Sequence, residues 1–355
     1  ADKNKKIGVM MSGGLDSSAI AISLKENNYE DVITYSANFD HVKDSSDIDE
    51  TIFQKNIHDF TSYKHTSIQM EGKSPIKPIK SFTKILDQPI IFPNIYIFEQ
   101  IIHKLKNDER KVILDGNDGD NTVSHGFEVI YSYFKKMRLI RSTREIYLYS
   151  KFKKSGFIRL LYVFTKEAIK RILKIKIKES SNSILNKNIN AKKNKKNIIS
   201  FFSPHKKKLS LDLHFSANEC RNELFRYFGI ENFSPFYDEE LINFCINMPD
   251  KYKFNNGYTR NILRKFISEF LPRDHANRDK SILTAGLLMN FSKSDLSIAK
   301  REYSNINNHL LPLLNKHKIY NIIKSLEGKK KINEEEIIDL QIFISANTFL
   351  NNYNF

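Results

Sequence analysis

Apolar and polar positions alternate along the first third of the chain in blocks that change period. A short apolar run, Ile7 to Met11, follows Lys5 and Lys6 and reads as a buried parallel strand. Ser17 to Asn28 then carries Ile20, Ala21 and Leu24 at helical spacing and stops at Asn27-Asn28. Val32 to Phe39 reads as a second strand, followed by an acidic loop, Asp44 to Glu50, and a helix, Thr51 to Phe60. Lys64 to Met70 is a third strand. Residues 71–93 hold Pro75, Pro78, Pro89 and Pro93, so loops with at most a short helix are expected there. Ile95 to Leu105 is helical, Lys111 to Leu114 is a short buried strand, and Asp115 to Gly126 is the loop at its carboxyl end. Strands alternating with helices predict an α/β fold with a parallel, doubly wound sheet. From Leu209 onward the pattern is helical, over Ala217–Phe228, Asp238–Asn247, Thr259–Phe270, Gly286–Phe291, Leu296–Tyr303 and Glu334–Leu350. The expected division is an α/β core over residues 1–134, an insertion over 135–208 and a helical lobe over 209–355.

The insertion is set apart by charge. Between Lys135 and Lys208 there are 23 Lys and Arg against three acids, Glu145, Glu167 and Glu179, a balance of +20. The whole chain of 355 residues is +16, so the remainder is −4 and the core is near neutral. Electrostatic arguments about partners therefore belong to this one segment. Gly156 to Lys178 reads as a basic amphipathic helix, with Ile158, Leu161, Tyr162, Ile169, Ile172 and Leu173 among Arg and Lys. Residues 179–198, rich in Asn, Lys and Ser, are expected to be mobile. Three readings of the lysines stand side by side: a solvated face enriched through codon usage, a dock for an acidic peptide or partner protein, and a nucleic-acid or membrane-surface contact. Two cysteines, Cys220 and Cys245, provide neither a disulfide framework nor zinc spacing, which suits a reducing cytoplasm. No apolar run is long enough to span a bilayer, and no secretory leader is visible. With a strand starting near residue 6, a missing or trimmed upstream domain is one reading.

The chemistry concentrates in Ser12-Gly13-Gly14-Leu15-Asp16-Ser17-Ser18, between the first strand and the first helix. Two glycines allow close backbone approach, three hydroxyls are at hand, and a helix amino terminus offers free N–H groups and the positive end of its dipole. This is an anion site, most simply for phosphate. Asp16 in its middle makes sense if a divalent cation lies between carboxylate and phosphates. The stretch lacks the Gly-Lys-Ser/Thr of a Walker loop and is not the dinucleotide fingerprint. A second glycine-containing loop, Asp115-Gly116-Asn117-Asp118-Gly119-Asp120-Asn121, follows a later strand. Loops at the carboxyl ends of neighbouring parallel strands face one crevice. Asp16 and Asp120 are thus candidates to share one Mg²⁺ with the pyrophosphate part of ATP.

SGGLDSS resembles the pyrophosphate-binding loop of the ATP pyrophosphatase superfamily, and the pair of loops resembles the synthetase domain of the asparagine synthetase family. That family follows SGGLDS with an SGxGxDE-like loop, which Gly116 and Asp120 match. A third block agrees: Phe233 to Asp238, Leu241, Met248-Pro249, Gly257 to Arg264, Leu271-Pro272 and Arg278-Asp279-Lys280. The resemblance covers about residues 6–126 and 209–290. It implies that a substrate carboxylate attacks the α-phosphorus of ATP, giving an acyl-adenylate and pyrophosphate, and that an amine then displaces AMP to form an amide. It implies Lys280 as the cation that stabilises the phosphates, with Asp16 and Asp120 at the reacting centre. It also implies Ser12, Gly13, Gly14, Asp16, Ser17 and Ser18 around the polyphosphate, and Ala37 and Gly116 as backbone partners of adenine. ATP and Mg²⁺ are the cofactors so implied.

Departures from the family pattern narrow the reading. Neither cysteine stands near residue 1, where the family's glutamine-hydrolysing domain carries its nucleophile. Asp118 replaces a usual glycine, and Asn117 and Asn121 supply amides where the family's glutamate, used in the ammonia reaction, would be expected. These differences point away from asparagine synthesis and toward relatives that join larger partners, such as β-lactam-forming synthetases and lasso-peptide cyclases. The expected partners are a carboxylate substrate and an amine, on a peptide or another sizeable molecule, with a partner protein or separate amidotransferase subunit as a further option. His125, Glu128 and Tyr131 are candidates for the base that deprotonates the amine. The alternatives are asparagine synthesis from ammonia or with a separate glutaminase, tRNA modification, which the third block argues against, and a non-catalytic nucleotide-binding scaffold, which Asp16, Asp120 and Lys280 argue against.

Overall fold

The computed structural model describes residues 5–39, 50–90, 92–123, 126–173, 184–185, 212–278, 290–328 and 332–353. Its centre is a five-stranded sheet, β1 (Ile7–Met10), β2 (Val32–Asn38), β3 (Lys64–Gln69), β4 (Val112–Leu114) and β5 (Glu231–Phe233), in the order β3-β2-β1-β4-β5. Every neighbouring pair is parallel; Ile7 lies opposite both Val32 and Val112. The chain winds outward from β1 to β3 and then returns to lay β4 on the other side of β1. The loops after β1 and β4 therefore part to opposite sides, which opens a crevice at the carboxyl edge.

Helices α1 (Leu15–Glu26), α2 (Thr51–Thr61), α3 (Lys77–Leu86) and α4 (Ile95–Asn107) cover the sheet. On one face Ile7, Val9 and Val32 pack with Leu15, Ile20 and Ile22 of α1 and with Leu263 and Ile267 of the helix Asn261–Ser268. On the other, Ile33, Tyr35 and Ile113 pack with Ile79, Phe82 and Leu105, and beyond them with Leu224, Phe225, Leu340 and Phe343. Burial on both faces is why these strands read as continuous apolar runs.

Three elements differ from the sequence expectation. The proline-rich stretch 71–93 contains a ten-residue helix, α3, because Pro78 falls in its first turn, where a missing N–H costs nothing. The lobe after Leu209 is not all helical: Glu231–Phe233 adds the fifth strand to the sheet, and Phe254–Asn255 pairs with Tyr258–Thr259 as a hairpin. Both are too short for periodicity to reveal. The basic stretch holds a layer of helices rather than one: a short α5 (Gly119–Thr122) precedes α6 (Phe127–Lys135), α7 (Leu139–Phe152) and α8 (Phe157–Ile172). Val129, Ile130, Tyr133, Ile146, Tyr149 and Phe164 of this layer share one core with Phe254 of the hairpin. α6 crosses residue 134, the expected start of the insertion. The stretch 179–198 apart from Ile184 and Leu185, the acidic loop before Glu50 and most of Gly286–Phe291 lie outside the described residues.

Candidate active site

The first loop is shaped by its own residues. Gly13 has φ +77°, and a Cβ there would stand 3.0 Å from Phe53 Cβ. Gly14 N–H donates to Ser12 Oγ at 3.2 Å, Ser17 Oγ donates to Gly14 O at 3.2 Å, and the hydroxyls of Ser12 and Ser17 lie 3.3 Å apart. Ser18 N–H donates to Gly14 O at 2.9 Å, which starts α1. Ser12, Gly14, Asp16 and Ser17 line a cleft of about 610 Å³.

Ser18 does not join them. Its buried hydroxyl lies 2.8 Å from His275 Nε2, behind the loop. Gly13 is also absent from the lining, and its carbonyl accepts a hydrogen bond from Arg278 Nη1. Arg278 pairs with Glu50 Oε1 at 2.5 Å and lies over the Phe53 ring at 4.2 Å. His275 is fully buried, and burial, then the Arg278 charge, pushes its pKa down to about 4. The segment that follows Leu271-Pro272 thus clamps the back of the first loop.

The second loop docks tightly on the first. A Cβ on Gly116 would lie 2.9 Å from Ser17 N, and one on Gly119 would run into the Asp16 carboxylate. Asp115 is a structural anchor, buried and bonded by Asn117 N at 3.0 Å, Ser234 Oγ at 2.7 Å and Asn232 Nδ2 at 3.0 Å, with Arg221 Nε at 3.3 Å. Two of those partners flank the end of β5, so the missed strand is what fixes this loop. Asp118 takes the left-handed conformation, φ 59°, and accepts hydrogen bonds from Tyr237 Oη and Asn121 Nδ2. Burial, reinforced by Asp118, raises the Tyr237 pKa and keeps its hydroxyl protonated.

Asp16 and Asp120 come together, and what joins them here is a residue the sequence reading did not single out. Arg260 Nη1 lies 2.9 and 3.2 Å from the two oxygens of Asp16 and 2.5 Å from Asp120 Oδ1. Arg260, also left-handed at φ 52°, connects the hairpin to the helix Asn261–Ser268. The hairpin is held by Glu145 of α7, whose Oε2 accepts from Gly257 N–H at 2.9 Å. Arg264 ties the next turns together through Thr259 O, Ala276 O and Arg278 O. The available signal for Arg260 was the need of two half-buried carboxylates for a cation. The same oxygen-only pair converging on one positive point fits a hard divalent cation that draws its remaining ligands from phosphates and water. Among the described residues no group of three or more His, Cys, Asp or Glu is arranged for a metal.

The cleft is two-sided. Ser12, Asp16, Ser17, Asp120, Arg260 and Arg278 make its polar end, while Met10, Ala37, Ile97, Phe98 and Ile101 give an apolar wall, with Gly116 on the lining. A volume of this size takes a nucleotide-sized ligand. Glu128 and Tyr131 are not on the lining. Tyr131 packs on Phe164 with Arg171 over its ring at 4.2 Å, and burial raises its pKa, which makes it a poor base. His125 and Lys280 lie outside the described residues.

The family model for asparagine synthase matches residues 1–351. No curated protein matches the chain. With a match over almost its whole length, a five-stranded parallel sheet and paired loops at its carboxyl edge, the chain belongs to the asparagine synthase family of ATP-dependent amide-forming ligases.

Proposed function

We propose that this chain activates a substrate carboxylate as an acyl-adenylate, releasing pyrophosphate, and passes the acyl group to an amine on a peptide or other sizeable substrate. The observation that carries the reading is the convergence of Asp16 and Asp120 beside Ser12, Ser17 and the amino terminus of α1, at the polar end of a cleft whose other wall is apolar. An apolar wall suits a purine, and a helix amino terminus with serine hydroxyls suits a polyphosphate.

Each residue then has a task. Backbone at Ala37 and Gly116 meets the base. Ser12 and Ser17 donate to phosphate oxygens. Arg260 and Arg278 supply positive charge at the same end, and preorganised charge aimed at developing negative oxygens is a large catalytic term. Mg²⁺, when bound between Asp16 and Asp120, would neutralise polyphosphate charge. Lys280 would add a mobile ammonium as charge grows on the α-phosphate. The amides of Asn117 and Asn121, in place of a family glutamate, support an amine carried by the substrate over free ammonia.

The test is pyrophosphate exchange with a panel of candidate carboxylates, which identifies the activated acid whatever the amine is. The expected products are AMP and pyrophosphate; ADP and phosphate would overturn the proposal.

A further inference from the structure

α8 is amphipathic twice over. Phe157, Leu160, Leu161, Phe164 and Ala168 turn inward onto α6 and α7. A second apolar stripe, Ile158, Tyr162, Ile169, Ile172 and the C-capping Leu173, runs along the flank of the helix, roughly 100° around from the packed face and about 22 Å long. This stripe stays in the open: Ile158 is 81% exposed, Tyr162 63% and Leu173 64%. Elsewhere in the layer, Met137 before α7 and Ile140 in its first turn are 76% and 89% exposed. A helix with one packed apolar face has no structural use for a second.

The surroundings select what could cover it. From Lys135 to Leu173 there are twelve Lys and Arg against Glu145 and Glu167, a balance of 12 − 2 = +10, and Glu145 is buried under the hairpin. Arg159, Lys166 and Lys170 flank the α8 stripe on one side. Another copy of the same face would meet like charge, and so would the residues that follow, since 174–208 carry eleven lysines and one acid, Glu179. The complement is therefore anionic with an apolar interior. The stripe residues are half to four-fifths exposed on the flank of one helix, beside the outward row of Arg159, Lys166 and Lys170, so a soft planar surface fits them better than an extended peptide. Among the described residues no helix is long and apolar enough to cross a membrane.

We infer that the α7–α8 layer seats the protein on an anionic lipid surface, with Ile158, Tyr162, Ile169, Ile172 and Leu173 entering the headgroup boundary and the surrounding Lys and Arg meeting lipid phosphates. The inference is independent of the reaction proposed above. It is tested by sedimenting the full chain with vesicles of phosphatidylcholine alone or mixed with phosphatidylglycerol, over a salt series. Two variants with unchanged thermal midpoints are compared: Ile158→Ser/Ile169→Ser/Leu173→Ser, which keeps every charge, and Arg159→Glu/Lys166→Glu/Lys170→Glu. The wild type should bind the mixed vesicles, weaken with salt and ignore phosphatidylcholine. The apolar variant should bind at least ~10-fold more weakly. The charge variant should lose ~100-fold or more, at roughly fivefold per cation removed. Absence of binding to the mixed vesicles overturns the proposal. So does an apolar variant that binds like the wild type, or binding to poly-glutamate without binding to vesicles, which would assign the face to an acidic polypeptide.

Discussion

Replacing Arg260 by methionine isolates the contact that joins the two loops. The guanidinium is nearly buried, and its Nη1 lies 2.9 Å from Asp16 and 2.5 Å from Asp120. At charge separations of about 4 Å and an effective dielectric of about 20, each pair is worth ~4 kcal/mol before desolvation is counted. Desolvation offsets much of that sum, but removing one partner leaves two carboxylates facing each other with no cation. Measured losses for such removals are about 3–5 kcal/mol. Arg260→Met should therefore lower stability to urea by that amount in EDTA. The same carboxylates should then accept a divalent cation in its place. At a concentration a hundred times its dissociation constant, Mg²⁺ would restore ~2.7 kcal/mol to the variant and less to the wild type, where the arginine competes. Arg260→Lys should fall between, since one ammonium can sit where Nη1 meets both carboxylates but is more strongly hydrated and costs more to bury. Equal stability of Arg260→Met and wild type in EDTA would refute the energetic role. A destabilised variant indifferent to Mg²⁺ would refute the idea that Asp16 and Asp120 form a cation site.

Three further outcomes are expected. His275 is held neutral with its pKa near 4, against about 6.5 when unfolded, so the unfolded chain binds the extra proton between those values. Stability should be full above pH 6.5 and fall by ~3 kcal/mol as pH drops toward 4, and His275→Gln should flatten that slope; superimposable urea midpoints against pH for the two proteins would contradict this. Gly119→Ala drives a methyl into the Asp16 carboxylate, so it should weaken nucleotide binding at least ~10-fold in calorimetric titration, and wild-type affinity would show that the loops can separate without cost. Lys280→Ala should lower single-turnover chemistry by ~10²-fold with little change in ATP affinity, the reverse split marking a lysine that only holds the nucleotide.

The parts of this protein that sequence displays most openly are those in which one residue type has one physical use. The apolar runs of β1 and β2 could be placed because burial on both faces leaves no room for polar alternation. Gly13 could be placed because the turn needs its backbone freedom. What escaped was relational. β5 is Glu231-Asn232-Phe233, an edge strand of three residues with no period to detect, recognisable only by its pairing with β4. Ser18 looked equivalent to Ser17, but one further step along a helix turns its hydroxyl through ~100°, from the cleft to His275. Arg260 is assigned in part by Asp16, 244 residues away, and Arg278 by Glu50, 228 residues away, distances no local pattern spans.

The late arrival of β5 has a consequence for synthesis. Asn232 and Asp115, which it brings together, are 117 residues apart. At 5–20 residues per second the ribosome needs roughly 6–25 s to cover that interval. Throughout it four of the five strands have been made and the outer edge of β4 has no partner strand, and open edges template pairing with other chains. The basic layer is made during this same interval, and its high like charge keeps nascent chains apart while the edge waits for its partner.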